Sequence, residues 1–452
     1  MPYLDGIHRV KKPVAPVEEV IKAPRERRVF SWKKPLIVLL VLIFLVLSGV
    51  ATALAYPQIK NGTEVLTGLS NGKFLILFQN NTELRPSGGF IGSFAVAETK
   101  DAKLANIYFD TNIYKRDNTF SVSNFIEPPT ALKTINGNWT MRDANWAIDY
   151  AEAAQKVAWF YNEEGGTPVD GVIAIDTTFF EKILKVVGPV ELKEYNTTIT
   201  SENFAENVQY KIEKEYFNDP RNWSINEPKS ILKDLMMEIF SRVQNKKYLF
   251  EIVKTINSSL SQKHILLYFN NKEMESVVKD KNWGGTVVEP NASDYLYINY
   301  ANLGANKSSL KVKENIALEN VNLANKNVDK LTITRTNQSE NEWPYGNNKN
   351  YVRIAVPKGA QLLSIYEDGR DIIGDANTTE EGNKTVFGFW LETKAQTSKV
   401  WEITYELPSK FVGSKYSLYW QKQPGTLGDD LQVIANGKLI YKNWVDEDKI
   451  VK

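Results

Sequence analysis

Residues 165–192 read GGTPVDGVIAIDTTFFEKILKVVGPVEL. Gly171–Ile175 (GVIAI) is a short, continuous apolar run, the pattern of a strand buried on both faces. Behind it, Thr178-x-x-Glu181 has the spacing of a capping box. Phe179, Phe180, Ile183, Leu184 and Val187 then recur at helical period. Gly188-Pro189 stops that helix, and Val190–Leu192 begins another strand. Upstream, Asp149 and Glu152 form a second capping pair. They precede an apolar stripe at Tyr150, Ala153, Ala154, Val157, Ala158 and Tyr161, which Gly165-Gly166 ends. Helix, buried strand, helix and strand predict an α/β layer, a mixed sheet covered by helices.

Working outward, Phe74–Phe78 (FLILF) reads as a further buried strand. Ser93–Glu98 and Leu104–Phe109 follow it, with Lys100-Asp101 as their turn. The segment Gln79–Gly92 between them is polar and Gly-rich and reads as a loop. Two more amphipathic helices are marked by Ile231–Val243 and Leu249–Ile256, and Ile265–Phe269 and Tyr295–Tyr300 read as returning strands. From about residue 310 the period becomes two: Trp401, Ile403, Tyr405 and Leu407 alternate with Glu402, Thr404 and Glu406. Asn436-Gly437 between two such runs is a type I′ hairpin signal. The expected division is a linker over 57–70, an α/β domain over 71–309 and a β-sandwich over 310–452.

Composition narrows the function. The chain has 452 residues, 55 Lys+Arg against 54 Asp+Glu, and no cysteine. A net charge of +1 gives no electrostatic footprint for nucleic acid. Without cysteine there are no disulfides, thiolate metal sites or cysteine nucleophiles. His8 and His264 are the only histidines, so a His-rich zinc site is excluded. Leu36–Ala55 (LIVLLVLIFLVLSGVATALA) is uncharged and long enough, at ~1.5 Å per residue, to cross a ~30 Å hydrocarbon core. Residues 1–34 carry nine Lys/Arg and four acids. The positive-inside rule therefore places residues 1–35 in the cytoplasm, residues 36–56 in the bilayer and the bulk outside the cell membrane. Ala53-Leu54-Ala55 also fits a signal-peptidase site, which leaves cleavage as the rival reading.

Two polar segments could carry chemistry. Gln79-Asn80-Asn81-Thr82-Glu83-Leu84-Arg85-Pro86-Ser87-Gly88-Gly89 follows a buried strand, where ligand crevices form in open α/β sheets. Arg85 offers a planar cationic fork, and Gly88 and Gly89 let backbone N–H groups approach an anion. Met141-Arg142-Asp143-Ala144-Asn145-Trp146 precedes the helix capped by Asp149, and helix starts favour anions. Ligand-binding candidates are thus Gln79, Asn81, Arg85, Gly88, Gly89, Arg142, Asn145 and Trp146. Asp143 and Glu83 are the candidate base or metal ligand. His264 is the remaining acid–base candidate. Against this stands the plainer reading of a glycine-rich turn, a helix cap and local salt bridges.

At these residues the chain resembles a known family. FLILFQNNTELRPSGGFIGSF, MRDANWAIDY, the 165–192 segment, DYLYINYANLGANKS and YVRIAVPKGA are similar to the ordered blocks of bacterial domain-of-unknown-function family 4012. That resemblance implies a membrane-anchored protein with no assigned activity. The order of Arg loop, helix, GG-x-PVDG strand, helix and GPV strand also resembles the LytR–CpsA–Psr family. This second likeness implies an extracytoplasmic α/β domain that binds polyprenyl-pyrophosphate and transfers glycopolymer to peptidoglycan with magnesium. It puts Arg85 in the place of a pyrophosphate-binding arginine; that family pairs the arginine with magnesium-holding aspartates, whereas this loop has Gln79, Asn81 and Ser87 in the neighbourhood and Glu83 as its only acid. That family's second Arg-Asp block, which follows a strand, has no clear counterpart, though Arg116-Asp117 stands nearby. The expectation is a membrane-anchored cell-envelope protein that binds, or binds and transfers, an anionic lipid-linked glycan. The alternative is a non-catalytic surface protein whose β domain contacts glycan or protein.

Overall fold

The computed structural model describes residues 68–452 except 102, 221, 223–227, 244, 324–325 and 409–414. The basic tail and the expected span at residues 36–56 lie outside the described residues. Among the described residues no helix is long and apolar enough to cross a membrane.

The strands are β1 Gly72–Arg85, β2 Gly88–Lys100, β3 Lys103–Asp110, β4 Gly171–Asp176, β5 Val190–Leu192, β6 Thr197–Ile199, β7 Ile265–Phe269, β8 Asp294–Asn302, β9 Val312–Leu323 and β10 Lys326–Asn337. They continue with β11 Asn348–Pro357, β12 Gln361–Glu367, β13 Arg370–Asp371, β14 Asn377–Glu381, β15 Lys384–Thr393, β16 Thr397–Glu406, β17 Leu418–Gln421, β18 Asp429–Ala435, β19 Lys438–Val445 and β20 Lys449–Val451. The helices that matter here are α1 Ile113–Ser121, α2 Tyr150–Glu163, α3 Thr177–Val187, α4 Phe204–Tyr210, α5 Ser230–Val243, α6 Leu249–Ser261 and α7 Lys272–Asp280.

The first sheet has the order β3-β2-β1-β4-β7, with β1 and β4 parallel and the other neighbours antiparallel. Side chains alternate across a strand, so one strand feeds two cores. Phe74 and Ile76 face a core shared with α3, α4, α5, α6 and α7. Leu75 and Leu77 face a second core shared with α1 and α2. The expected α/β layer is therefore present, as a mixed sheet with helices on both faces. The Asp149 cap holds, accepting from the Ala151 and Glu152 amides. The cap on α3 does not fall where expected. Asp176 accepts from the Phe179 amide, and Thr178 lies inside the helix. A carboxylate at the end of a buried strand reaches the orphan donors first.

Two further sheets share one apolar core, lined by Leu296, Ile298, Leu331, Ile333, Trp401 and Ile403 among others. One has the order β13-β12-β16-β10-β9-β18-β19, the other β14-β15-β11-β8-β17-β20. Asn436 and Gly437 turn with φ of 48° and 76°, as a type I′ hairpin requires. Tyr295–Tyr300, expected to return to the first sheet, lies instead at the centre of the second of these sheets, between β11 and β17. A wholly apolar run suits either sheet, and periodicity alone does not choose between them.

Candidate functional site

The segment expected to be a loop, Gln79–Gly92, is a hairpin. β1 runs on to Arg85, with irregular register after Phe78 and after Asn80, and β2 returns from Gly88. Glycine makes this pairing feasible. A Cβ on Gly89 would come 2.3 Å from the Asn80 carbonyl carbon, and Gly88 sits at φ +125°. Alternate polar side chains at the end of β1 are consequently buried rather than solvated: Gln79, Asn81, Glu83 and Arg85 are at most 6% exposed, while Asn80 and Thr82 between them are half-buried.

Burial obliges these groups to find partners. Asn81 donates to the Thr178 hydroxyl at 2.8 Å and to the Gly425 carbonyl at 2.8 Å, and it accepts from Thr177. It therefore joins the α/β layer to the loop after β17. Arg85 reaches the Asn302 carbonyl at 2.5 Å, Glu83 at 2.9 Å and Asp143 at 3.6 Å. Lys307 pairs with the other Glu83 oxygen. Burial pushes the Glu83 carboxyl up, but Lys307 and then Arg85 outweigh it and hold it below the ordinary range.

Arg142 lies in a short 3-10 turn, Met141–Asp143, that packs on β2. It contacts Asp117 at 3.0 Å and Asp143 at 3.7 Å, and donates to Asn136 at 3.0 Å. Arg85 and Arg142 thus converge, and the anion between them is Asp143 of the same chain. The result is a buried alternating row: Lys307, Glu83, Arg85, Asp143, Arg142, Asp117. Asp117 opens onto Glu164, whose carboxyl is raised to about 8 by burial and then by the Asp117 charge. Asn145 donates to the Gly89 carbonyl at 2.8 Å. Trp146 stacks under the Arg353 guanidinium at 4.7 Å and beside Tyr351, away from the two arginines' contacts. His264 is buried with Nδ1 2.7 Å from Asp176, and burial lowers its pKa against the opposing pull of that carboxylate.

Beside this row lies a cavity of about 720 Å³. One part of its wall is apolar, built from Phe78, Phe180, Phe204, Leu235, Met236 and Ile239. Gln79, Lys115, Lys229 and Lys307 supply polar groups to the same lining, together with one acid, Glu213. Gln79 Nε2 is buried and has no hydrogen-bond partner. Burial, and then the Lys307 charge, bring the Lys229 ammonium down to about 8. Lys229 donates to the Gly92 carbonyl and lies 5.4 Å from the Tyr114 ring. Of the expected residues only Gln79 lines this space. Lys229 and Lys307 escaped the sequence reading because each stands far from the Arg loop in the chain. Pro228-Lys229 ahead of an amphipathic helix was the available signal for the first.

The residues expected to hold magnesium fit it poorly. Glu83 and Asp143 are each engaged by two cations, and among the described residues no group of three or more His, Cys, Asp or Glu could hold a metal.

No curated protein matches this chain. Among solved structures, a putative nutrient binding protein from Legionella pneumophila is similar at 8% identity and a TM-score of 0.21. That match covers 27% of this chain and 50% of the Legionella chain, so the alignment spans about half its length. The Lin1025 protein from Listeria innocua is similar at 14% identity and a TM-score of 0.26, covering 50% of this chain and 85% of that one. An M1 zinc metallopeptidase from Deinococcus radiodurans reaches 9% and 0.17, covering 28% and 32%. Likenesses this slight assign neither fold nor activity. Residues 71–212, which hold the β1–β2 hairpin, every member of the charged row except Lys307 and most of the residues lining the cavity, match the model of a family described as protein of unknown function (DUF4012).

Proposed function

We propose that the protein binds the lipid carrier of an anionic, lipid-linked glycan at the outer face of the cell membrane. The observation that supports this is the cavity: a largely apolar chamber with Lys229, Lys307 and the unpartnered Gln79 Nε2 on its wall. Its volume lies within the ~300–1,000 Å³ of typical ligand sites, enough for the head-proximal units of a polyprenyl chain. An isoprenoid gains from leaving water, and a phosphate gains charge-assisted hydrogen bonds from two lysines. The LytR–CpsA–Psr resemblance points to the same ligand class, and Leu36–Ala55 would hold the domain beside its lipid source.

The reading is one of binding rather than transfer. Glu83 and Asp143, the groups a transfer step would need as base or metal ligand, are held in ion pairs by Lys307, Arg85 and Arg142. The arginine row fixes the shape of the hairpin that forms one cavity wall.

The test uses the full chain in detergent and undecaprenyl phosphate or pyrophosphate as probe, followed by native mass spectrometry. Wild type should retain one lipid. Ala205→Trp, which fills the chamber, should abolish retention. Lys229→Gln should weaken it about tenfold, the loss of one charge-assisted contact. Equal retention by wild type and Ala205→Trp would defeat the proposal.

A further inference from the structure

A second, smaller cavity of about 260 Å³ opens at one end of the two-sheet unit, where Leu84 and the loop before β18 meet β9 and β10. Arg335 stands in its wall. This side chain is 3% exposed and rigidly held: Nε is 2.8 Å from Glu314, Nη2 donates to Asn348 at 3.1 Å, and the guanidinium lies 4.3 Å over the Tyr300 ring. Its Nη1 is buried and has no acceptor. A buried guanidinium hydrogen without a partner costs free energy that a bound acceptor would recover. Glu314 Oε2, in the same wall, is likewise buried without a hydrogen bond. The Tyr300 hydroxyl in the same wall is also buried and stands beside Glu314, and this cluster of donors around one carboxylate matches a ligand hydroxyl, which accepts from Arg335 and donates to Glu314.

The rest of the wall narrows the ligand. Burial, and then the Glu314 charge, push the Asp429 carboxyl well above the usual range, and in either protonation state it adds no positive charge. Glu314 offsets Arg335, and the exposed Asp430 offsets the exposed Lys313. A site without net positive charge does not select phosphate or carboxylate. At the rim stands Trp444, 50% exposed. Its indole lies against Gly428, where a Cβ would come 2.7 Å from the ring. A half-exposed indole beside polar groups suits the C–H face of a pyranose, which is apolar on one side and hydroxylated at its edge. The space equals about nine waters at ~30 Å³ each, enough for one hexose ring.

We propose that this cavity is a binding subsite for one hexopyranose unit of a neutral glycan, with the Arg335–Glu314 pair holding a hydroxyl and Trp444 covering the ring. It is separate from the lipid cavity and stands whether or not that cavity takes a lipid.

The full chain in detergent is titrated with the methyl glycosides of glucose, galactose, mannose and N-acetylglucosamine, read by saturation-transfer NMR and calorimetry. At least one should bind with a millimolar or tighter Kd, and inorganic phosphate should not displace it. Trp444→Ala removes a half-exposed side chain and should weaken binding about tenfold while leaving undecaprenyl phosphate retention unchanged. Arg335→Lys keeps the charge beside Glu314 but removes the free Nη1, and should abolish binding. If that variant does not fold, Trp444→Ala alone decides. No binding by any of the four glycosides, equal binding by Trp444→Ala, or displacement by phosphate would overturn the proposal.

Discussion

Arg85 Nε stands 3.6 Å from Asp143 Oδ1, with both side chains almost wholly buried. Strand β1 supplies the arginine and the turn before α2 supplies the carboxylate, so one contact ties the first sheet to its helical cover. Arg142 reaches the second Asp143 oxygen at 3.7 Å. Two guanidinium groups therefore share Asp143, although each also has a nearer acid of its own, Glu83 for Arg85 and Asp117 for Arg142.

Asp143→Ala should accordingly be severe. Removing one member of a buried ion network leaves uncompensated charge, at about 3–5 kcal/mol. Urea unfolding of the full chain in detergent measures it. Arg85→Met combined with Asp143→Leu should recover part of that loss, because no lone charge is left between them. A loss below 1 kcal/mol for Asp143→Ala would mean that water already solvates the row.

Glu164 predicts a pH dependence. Its folded-state pKa, about 8, lies above the ordinary 4.5, so the folded chain keeps a proton that the unfolded chain releases. Its contribution to stability is fully present below about 4.5 and is lost as pH rises through about 8. Asp117 is raised in the same direction by burial and adds to the slope. Glu164→Gln should flatten the fall in urea midpoint between those limits. An unchanged slope would place the titration elsewhere.

Asp176→Ala removes the cap of α3 and the partner of His264 together. A lost cap and a buried imidazole left without its acceptor sum to about 2–4 kcal/mol. Asp176→Asn keeps the cap and should cost less. Thermal melting of both variants separates the two contributions.

A fragment beginning at residue 310 should fail to fold, whereas one beginning at 285 should give a strand-type far-UV spectrum and a cooperative melt. The shorter piece lacks β8, which sits between β11 and β17. Its loss splits the six-stranded sheet and exposes two edges. A cooperative melt from the shorter fragment would refute this.

The chain has no cysteine, which makes its topology directly testable. If Leu36–Ala55 is a retained span, an impermeant maleimide applied to intact cells should label Phe125→Cys, a position 70% exposed. It should spare Val20→Cys. Labelling of both would reject the orientation.

The α/β layer could be read from the chain because its signals are local. A buried strand, the Asp149 cap and two helical stripes lie within about fifty residues, and each is fixed by its own backbone chemistry. Burial of the Gln79–Arg85 side chains was not legible. Polar residues beside glycines have the composition of a loop, and only tertiary partners such as Asn302, Lys307 and Gly425 make them a strand. Arg85 and Arg142 were each legible as a cation placed for an anion. That Asp143 would stand between them was not, because one acid beside one arginine in sequence reads as a local pair. Lys229 and Lys307 reach the cavity from remote elements, and no spacing rule links them.

The parallel additions of β17 to β8 and of β18 to β9 carry a consequence for biosynthesis. Leu418 pairs with Asp294 and Asp430 with Asn315, partners separated by more than a hundred residues. At about 5–20 residues per second, β8 and β9 wait on the order of ten seconds for the strands that complete them. Their hydrogen-bonding edges stay open to neighbouring nascent chains throughout that interval. A ribosome stall or truncation ahead of residue 418 would leave an aggregation template in place of a slightly shortened protein.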